Sequence, residues 1–141
     1  GHLVVGIDKS AARLARHPAT PAENYLLLQA DCEAMWQLLG SRHMGVDHHY
    51  MLYPNPWPKA KHLQRRIHGH GSFNWLVQLG GRLELRSNWQ TYVEEFGLAM
   101  HLAGCRGRIA RVAEEPAMSL FEQKYRQSGH ELWSFCGEVA S

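Results

Sequence analysis

Apolar and polar positions along the chain predict strands that alternate with helices. Six apolar runs have the length of strands, and the first is too apolar for a half-exposed strand, so it is predicted to be buried. These runs cover 2–8, 24–29, 46–53, 82–87, 108–113 and 131–138. Helical spacing, bounded by capping residues, glycine or proline, predicts helices over 11–17, 32–39 and 92–103, and a long helical pattern over about 61–79 that Gly69 and Gly71 interrupt.

The order of these elements indicates the fold class. Strands that alternate with helices are typical of an α/β domain with a mostly parallel sheet, and the last two strands are expected to form an antiparallel pair. No repeat, low-complexity stretch or linker interrupts the sequence. Residues 1–141 are therefore predicted to form a single domain.

Polar residues recur where the predicted strands end, which is where ligands bind in parallel sheets. Those ends carry Asp8, Asp31, the segment 54–57 and Asn88. Asp8 can accept hydrogen bonds from the two hydroxyls of a ribose, or it can cap the following helix. Asp31 has the same two readings, as a partner of an adenine amino group or as a helix cap. The position of these groups predicts a binding site at one edge of the sheet.

The segment 54–59, Pro-Asn-Pro-Trp-Pro-Lys, is the most informative stretch. Three prolines stiffen it. This favours the interpretation that the loop holds an amide and an indole in place, and not the interpretation of a simple turn. Basic residues follow at once, and helical spacing predicts a single face formed by Lys61, His62, Arg65 and Arg66. A charge run is usually only a solvated face, but its place beside this loop favours contact with nucleic-acid phosphates.

Composition indicates a buried core and argues against several kinds of site and partner. Hydrophobic residues make up 45% of the chain and charged residues 20%, so a buried core is expected, while a net charge of +2 identifies no partner. The three cysteines lack paired spacing, which fits a reducing cytoplasm and predicts neither a zinc site nor a disulfide framework. The histidines lack the spacing of a metal site. No apolar run approaches the roughly 20 residues of a membrane span, so no membrane partner is predicted.

Residues 54–66, Pro-Asn-Pro-Trp-Pro-Lys-Ala-Lys-His-Leu-Gln-Arg-Arg, resemble a signature of the bacterial tRNA (guanine-N7)-methyltransferases. That signature reads Pro-Asp-Pro-Trp, Lys, His and Arg-Arg. Further matches keep the family's order along the chain, at 5–8, 29–31, 79–81, 87–89, 119–122, 129–130 and Trp133. The resemblance covers nearly the whole chain, and its specific parts are the proline-tryptophan-basic segment and the late Phe-Glu motif.

The resemblance implies a Rossmann-like class I methyltransferase fold, S-adenosyl-L-methionine (SAM) as methyl donor and a guanine of tRNA as acceptor. It implies that Asp8 holds the SAM ribose and that Asp31 lies at its adenine. Asn55 takes the place of the family's catalytic or SAM-contacting Asp. The family's tRNA-contacting or guanine-contacting places are taken by Lys59, Asn88, Ser119, Leu120, Phe121 and Glu122.

The chain also departs from the family. Asn55 and Asn88 stand where the family has Asp, and an amide supplies no negative charge. The family has a strand and a glycine-rich loop before the segment that matches 5–8, so we expect a domain incomplete at its N-terminus, with unpaired strand edges and weak SAM binding by residues 1–141 alone. Two alternatives stay open: a catalytically inactive RNA-binding module, and a methyltransferase acting on a protein or small molecule.

Overall fold

A computed structural model of the chain describes residues 4–8, 25–112 and 131–139. The strands are β1 (Val4–Asp8), β2 (Tyr25–Gln29), β3 (His48–Leu52), β4 (Gly81–Ser87), β5 (Arg106–Arg111) and β6 (Trp133–Val139). The α-helices are α1 (Cys32–Ser41), α2 (Phe73–Leu79) and α3 (Gln90–Leu102), and 3-10 helices cover Ala60–Arg65 and Ile67–Gly69. All six predicted strands are confirmed within two residues of their bounds. The helix predicted over 11–17 lies outside the described residues.

The larger sheet has four strands in the order β3-β4-β6-β5. β3 and β4 are parallel, with Leu52 opposite Arg86, so both strands end at the same edge of the sheet. The Tyr53 N–H extends this ladder past β3, because it donates to the Arg86 carbonyl at 2.8 Å. β6 runs antiparallel to both β4 and β5, which confirms the predicted antiparallel pair.

One face of this sheet packs against α3. Buried positions recur at helical spacing on α3 and at every second residue on β4, as each element requires when it buries one face. Phe96 and Phe135 meet edge to face with ring centroids 5.5 Å apart. The residues that fill this layer are Leu83, Leu85, Tyr92, Val93, Phe96, Met100 and Phe135. Full burial of each large apolar side chain contributes about 1.5–3 kcal/mol, so this layer dominates the stability of the sheet.

β1 and β2 form a separate parallel pair, with Asp8 opposite Gln29. The prediction that the first strand is buried is wrong, because Val4 and Val5 are 46% and 40% exposed. Among the described strands, β1 has β2 as its one hydrogen-bonded neighbour, and an apolar strand is buried only where other elements cover it. Within the described residues, β1 pairs only with β2, and β3 pairs only with β4. A domain that is incomplete at its N-terminus stays a prediction.

Residues 60–79 do not form the long helical segment, interrupted at Gly69 and Gly71, that their spacing predicts. Two 3-10 helices precede α2, because the backbone is extended at Arg66 (ψ 148°) and at His70 (ψ 146°). Gly69 is needed in this tight path, since a Cβ there would clash with the Leu63 carbonyl oxygen. The basic residues of this segment therefore lie on short turns instead of along one helical face.

Candidate functional site

Two loops leave the carboxyl edge of β3 and β4. The proline loop is residues 54–59, and the second loop is the turn 87–89. Because β3 and β4 are parallel and in register, both loops start at the same edge, where ligands bind in α/β sheets. The structure thus brings two predicted site residues, Asn55 and Asn88, to one edge of the four-stranded sheet.

Trp57 is the centre of the proline loop, and its main chain is held on both sides. Its φ of 45° lies in the left-handed region, which costs a non-glycine residue on the order of 1–3 kcal/mol. The Asn55 Oδ1 accepts from the Trp57 N–H at 3.2 Å, and the Trp57 carbonyl accepts from Arg66 Nε at 3.1 Å. Tyr53, just before the loop, also has a positive φ of 55°. The loop is therefore a strained structure that its neighbours hold in place.

The Trp57 indole has two neighbours from the first 3-10 helix. The Arg65 guanidinium carbon lies 5.0 Å from the ring centroid, in a cation–π contact, and the His62 ring meets the indole edge at 5.3 Å. Lys59, Lys61 and Arg65 are exposed, and His62 is partly buried. We call Lys59, Lys61, His62 and Arg65 the basic rim. Exposed cations around an aromatic ring form the type of surface that binds single-stranded nucleic acid.

Arg66 does not share this surface, and the predicted single basic face is wrong for it. Its side chain is only 4% exposed. Its Nε and Nη2 donate to the carbonyls of Trp57 and Pro58 at 3.1 and 3.4 Å, and its Nη1 pairs with Glu95 Oε1 at 2.6 Å. The guanidinium also lies 4.9 Å from the centroid of the Trp89 ring. Because the backbone at Arg66 is extended and not helical, its side chain points into the protein.

Glu95 on α3 accepts from His68 as well as from Arg66, with His68 Nε2 3.0 Å from the same Oε1. Burial opposes ionisation of Glu95, but hydrogen bonds from His68 and Arg66 lower the pKa of its carboxyl below the ordinary value. Burial lowers the pKa of His68 in spite of Glu95. Nε2 faces a carboxylate and donates to it, and among the described residues Nδ1 is buried without a hydrogen-bond partner. Protonation would add a second buried N–H with nothing to accept it.

The turn 87–89 is fixed by its first residue. Ser87 is buried, and its Oγ accepts from the Trp89 N–H at 3.1 Å. Asn88 between them is partly buried, and Trp89 packs against the core while its ring faces Arg66. Arg66 therefore contacts both loops of the site.

Asp8 and Asp31 lie at the ends of the smaller sheet. The helix-cap reading of Asp31 is confirmed, because its Oδ1 accepts from the Glu33 N–H at 3.1 Å at the start of α1. Its contact with an adenine stays a prediction, as does any role of the Asp8 side chain. A single rim that joins these acids to Asn55 and Asn88 also stays a prediction.

The late predicted residues Ser119, Leu120, Phe121 and Glu122 lie outside the described residues. Within 4–8, 25–112 and 131–139, no three or more His, Cys, Asp or Glu side chains form a group able to hold a metal ion. In the same ranges, no helix combines the length and apolar character that crossing a membrane requires.

Comparison with known proteins places the chain in a family. The profile of a family described as "Putative methyltransferase" matches residues 4–135. The chain belongs to this methyltransferase family. The tRNA (guanine-N(7)-)-methyltransferase of Zymomonas mobilis is 31% identical over 103 residues, covering 64% of this chain and 43% of that protein. The enzyme of the same name from Xanthomonas campestris is 26% identical over an alignment of 166 positions, which covers 93% of this chain and 63% of that protein. The chain thus spans between 43% and 63% of the length of these two relatives.

Solved methyltransferase structures share the fold. "SMU.776, a putative methyltransferase complexed with SAH" has a TM-score of 0.60 at 13% identity, over 97% of this chain and 39% of that one. The antibiotic-resistance methyltransferase Kmr has a TM-score of 0.56 at 18% identity, over 97% of this chain and 75% of that one. The predicted Rossmann-like methyltransferase fold and the family resemblance are both confirmed.

In this family member, sequence reasoning missed the contacts of Glu95 and His68. One signal was present: Glu95 is three residues after Tyr92 and directly before Phe96, at the border of the apolar face of α3. An acid at such a border is partly shielded from water, so a cationic or hydrogen-bonding partner stabilises its charge. The sequence did not identify that partner, because a predicted helical face assigned Arg66 to the surface.

Proposed function

We propose that the full-length protein is a SAM-dependent tRNA (guanine-N7-)-methyltransferase that acts in the cytoplasm. The observation that carries this proposal is the proline loop, where a strained Trp57 stands among exposed cations at the carboxyl edge of two parallel strands. Membership of a methyltransferase family supports methyl transfer. The names of the Zymomonas and Xanthomonas relatives support a tRNA guanine as the acceptor.

The basic rim binds the RNA backbone. Lys59, Lys61 and Arg65 are exposed on one continuous stretch of turns directly after Trp57. Cations at such positions displace the counterions of phosphates, which gives affinity without reading sequence and makes binding depend on salt. His62 meets the indole edge and orders the rim against the loop.

Trp57 provides the platform for the acceptor base. An enzyme that modifies a base in folded RNA takes that base out of its stack, and an aromatic ring replaces the lost stacking at about 1–3 kcal/mol. Guanine N7 has a lone pair, so the protein needs no general base and must mainly align the reacting atoms. Asn55 holds the platform through the Trp57 N–H, as an Asp oxygen also could, and the residue is exposed. Lys59, Asn88 and Ser119–Glu122 complete the acceptor site.

When bound, SAM supplies a methyl group carried on a positively charged sulfonium. Asp8 and Asp31 follow neighbouring parallel strands, and carboxylates at strand ends suit ribose hydroxyls and an adenine amino group. The exposed carboxylate of Asp31 at the start of α1 fits such a contact. These residues bind and orient the donor, while the proline loop orients the acceptor.

Mass spectrometry of nucleosides tests this function. Unmodified tRNA is incubated with the full-length protein and SAM, digested, and assayed for 7-methylguanosine. We expect the product with the wild type and a rate lower by about tenfold or more in Trp57→Ala and Lys59→Ala, because each removes a contact to the acceptor. Arg82→Ala is the control, since Arg82 lies exposed on β4 and pairs with Glu138 away from the loops.

An RNA-binding module without methyl transfer is the second candidate. Asn55 favours it, because an amide stands where the family has an acid and its oxygen already bonds the Trp57 N–H. Salt-sensitive tRNA binding without SAM binding and without any methylated nucleoside would establish that candidate and contradict the enzyme.

A further inference from the structure

Arg66 joins three parts of the protein that are distant in sequence. It donates to two carbonyls of the proline loop, stacks on Trp89 of the second loop and pairs with Glu95 of α3. The two loops at the carboxyl edge are therefore connected through one buried guanidinium.

α3 holds the segment 66–68 at two points. Glu95 binds Arg66 and His68, and Tyr92, one turn earlier, accepts from the Ile67 N–H at 3.3 Å. Burial raises the pKa of Tyr92 to about 12, so its hydroxyl stays neutral. The buried face of α3 is part of the core, and this attachment therefore ties the loops to the hydrophobic core.

We propose that Arg66 and Glu95 are positioning residues that fix Trp57, and with it the site for the acceptor base. Trp57 has a strained backbone, so its geometry persists only while neighbours hold it. Asn55 holds its N–H from within the loop, and Arg66 holds its carbonyl from the core. The consequence for turnover rests on the proposed function, whereas the effect on Trp57 itself does not.

The geometry requires arginine at position 66. A guanidinium is planar and presents several N–H groups in fixed directions, so it can donate to two carbonyls and a carboxylate while its face lies on an indole. A lysine ammonium keeps the charge but cannot stack in this way or reach all three acceptors. Arg66→Lys therefore removes positioning while it retains a charge partner for Glu95.

The experiment is ¹⁹F NMR of the full-length protein labelled with 5-fluorotryptophan, combined with steady-state kinetics. Trp57→Phe and Trp89→Phe assign the two reporting resonances. We expect Arg66→Lys and Glu95→Gln to shift or broaden the resonances of Trp57 and Trp89, and to leave Trp36 and Trp75 unchanged. Glu94→Gln is the matched control, because Glu94 is the exposed neighbour that bonds Gln90, and it leaves every resonance unchanged.

In kinetics with tRNA, we expect Arg66→Lys to lower kcat by about tenfold or more and to leave the KM for SAM unchanged, since misalignment of the acceptor slows transfer without weakening the donor. Unaltered Trp57 resonances in both variants would overturn the proposal, and so would a shift of all tryptophan resonances, which indicates general loss of structure. Altered resonances with wild-type kcat would overturn the link to turnover. If the wild type methylates no tRNA, the proposed function fails, and the spectra still decide whether Arg66 and Glu95 position Trp57.

Discussion

The two sheets present polar residues at their strand ends, but they hold them differently. At the end of β3 and β4, the loops are attached to the core by Arg66 and Glu95, and the strands beneath them bury Leu83 and Leu85 almost completely. At the end of β1 and β2, the strands are as apolar, yet Val4 and Leu26 are each 46% exposed. Burial of a strand therefore depends on the elements that cover it and not on its own hydrophobicity.

The largest expected effect is on the stability of the four-stranded sheet. Phe96→Ala removes a ring without exposed surface from α3, and we expect a loss of about 3–5 kcal/mol in the free energy of unfolding. Leu98→Ala, on the same helix but 59% exposed, is the control and is expected to cost less than about 1 kcal/mol. Urea titration followed by circular dichroism measures both, and equal losses would contradict the described core.

The next effect concerns the acceptor platform. Trp57→Ala is expected to weaken tRNA binding by about ten- to a hundredfold, because one stacked base loses about 1–3 kcal/mol. Tyr50→Ala on β3 is the control, since its ring is 56% exposed, stacks on His48 and lies outside the proline loop. Fluorescence anisotropy with labelled tRNA compares them, and an equal loss in both variants would argue against a specific role of the loop.

A smaller effect is expected on the salt dependence of binding. Lys61→Ala with Arg65→Ala removes two exposed cations of the basic rim, and the slope of log K against log salt should fall by about 1.4–1.8. Arg106→Ala with Arg108→Ala removes two exposed arginines from β5 and serves as the control. Binding isotherms at several salt concentrations measure both slopes. If the β5 variant lowers the slope as much as the rim variant, the basic rim is not the RNA-binding surface.

A further effect is the loss of stability in mild acid. Burial lowers the pKa of His49 and of His68 from the ordinary value of 6.5, so the unfolded chain binds protons that the folded chain does not. Their contribution is complete above pH 6.5 and is lost as the pH falls from there toward the lowered folded pKa. Urea midpoints should decrease over this range, and less steeply in His68→Gln. An unchanged slope in that variant would contradict burial as the cause of the lowered pKa of His68.

The smallest effect is expected in β1. Val5→Ala should lower the free energy of unfolding by about 0.5 kcal/mol or less, because the side chain is 40% exposed and has little contact to lose. The same urea titration measures it. A loss as large as that of Phe96→Ala would show that other parts of the protein cover β1, and it would remove the contrast between the two sheets.

Much of the fold could be predicted from local pattern. The strands and α3 follow from apolar periodicity, which burial of one face imposes directly. The segment 60–79 was predicted only in part: the glycines mark an interruption near 69–71, but nothing in the helical spacing indicates the extended backbone at Arg66. Burial of β1 was also mispredicted, since exposure depends on neighbouring elements that a local pattern does not contain.

The sequence pointed to the proline loop, but it did not show which contacts hold that loop in place. The three prolines and the indole of the segment 54–59 mark it as a stiff loop in the sequence, and the structure adds the positive φ of Trp57. The opposite orientations of Arg65 and Arg66 could not be predicted, because adjacent arginines look alike until Glu95 is placed beside one of them. Long-range partners of this kind depend on the packing of α3 against the sheet.

Ultraviolet crosslinking of tRNA to the full-length protein, with the crosslinked peptides identified by mass spectrometry, tests the role of the proline loop most directly. The major crosslinks should map to residues 54–65, with Trp57 as the principal site, and should disappear as the salt concentration rises. Major crosslinks that map to β5 or to α1 instead, with none in the proline loop, would contradict that role.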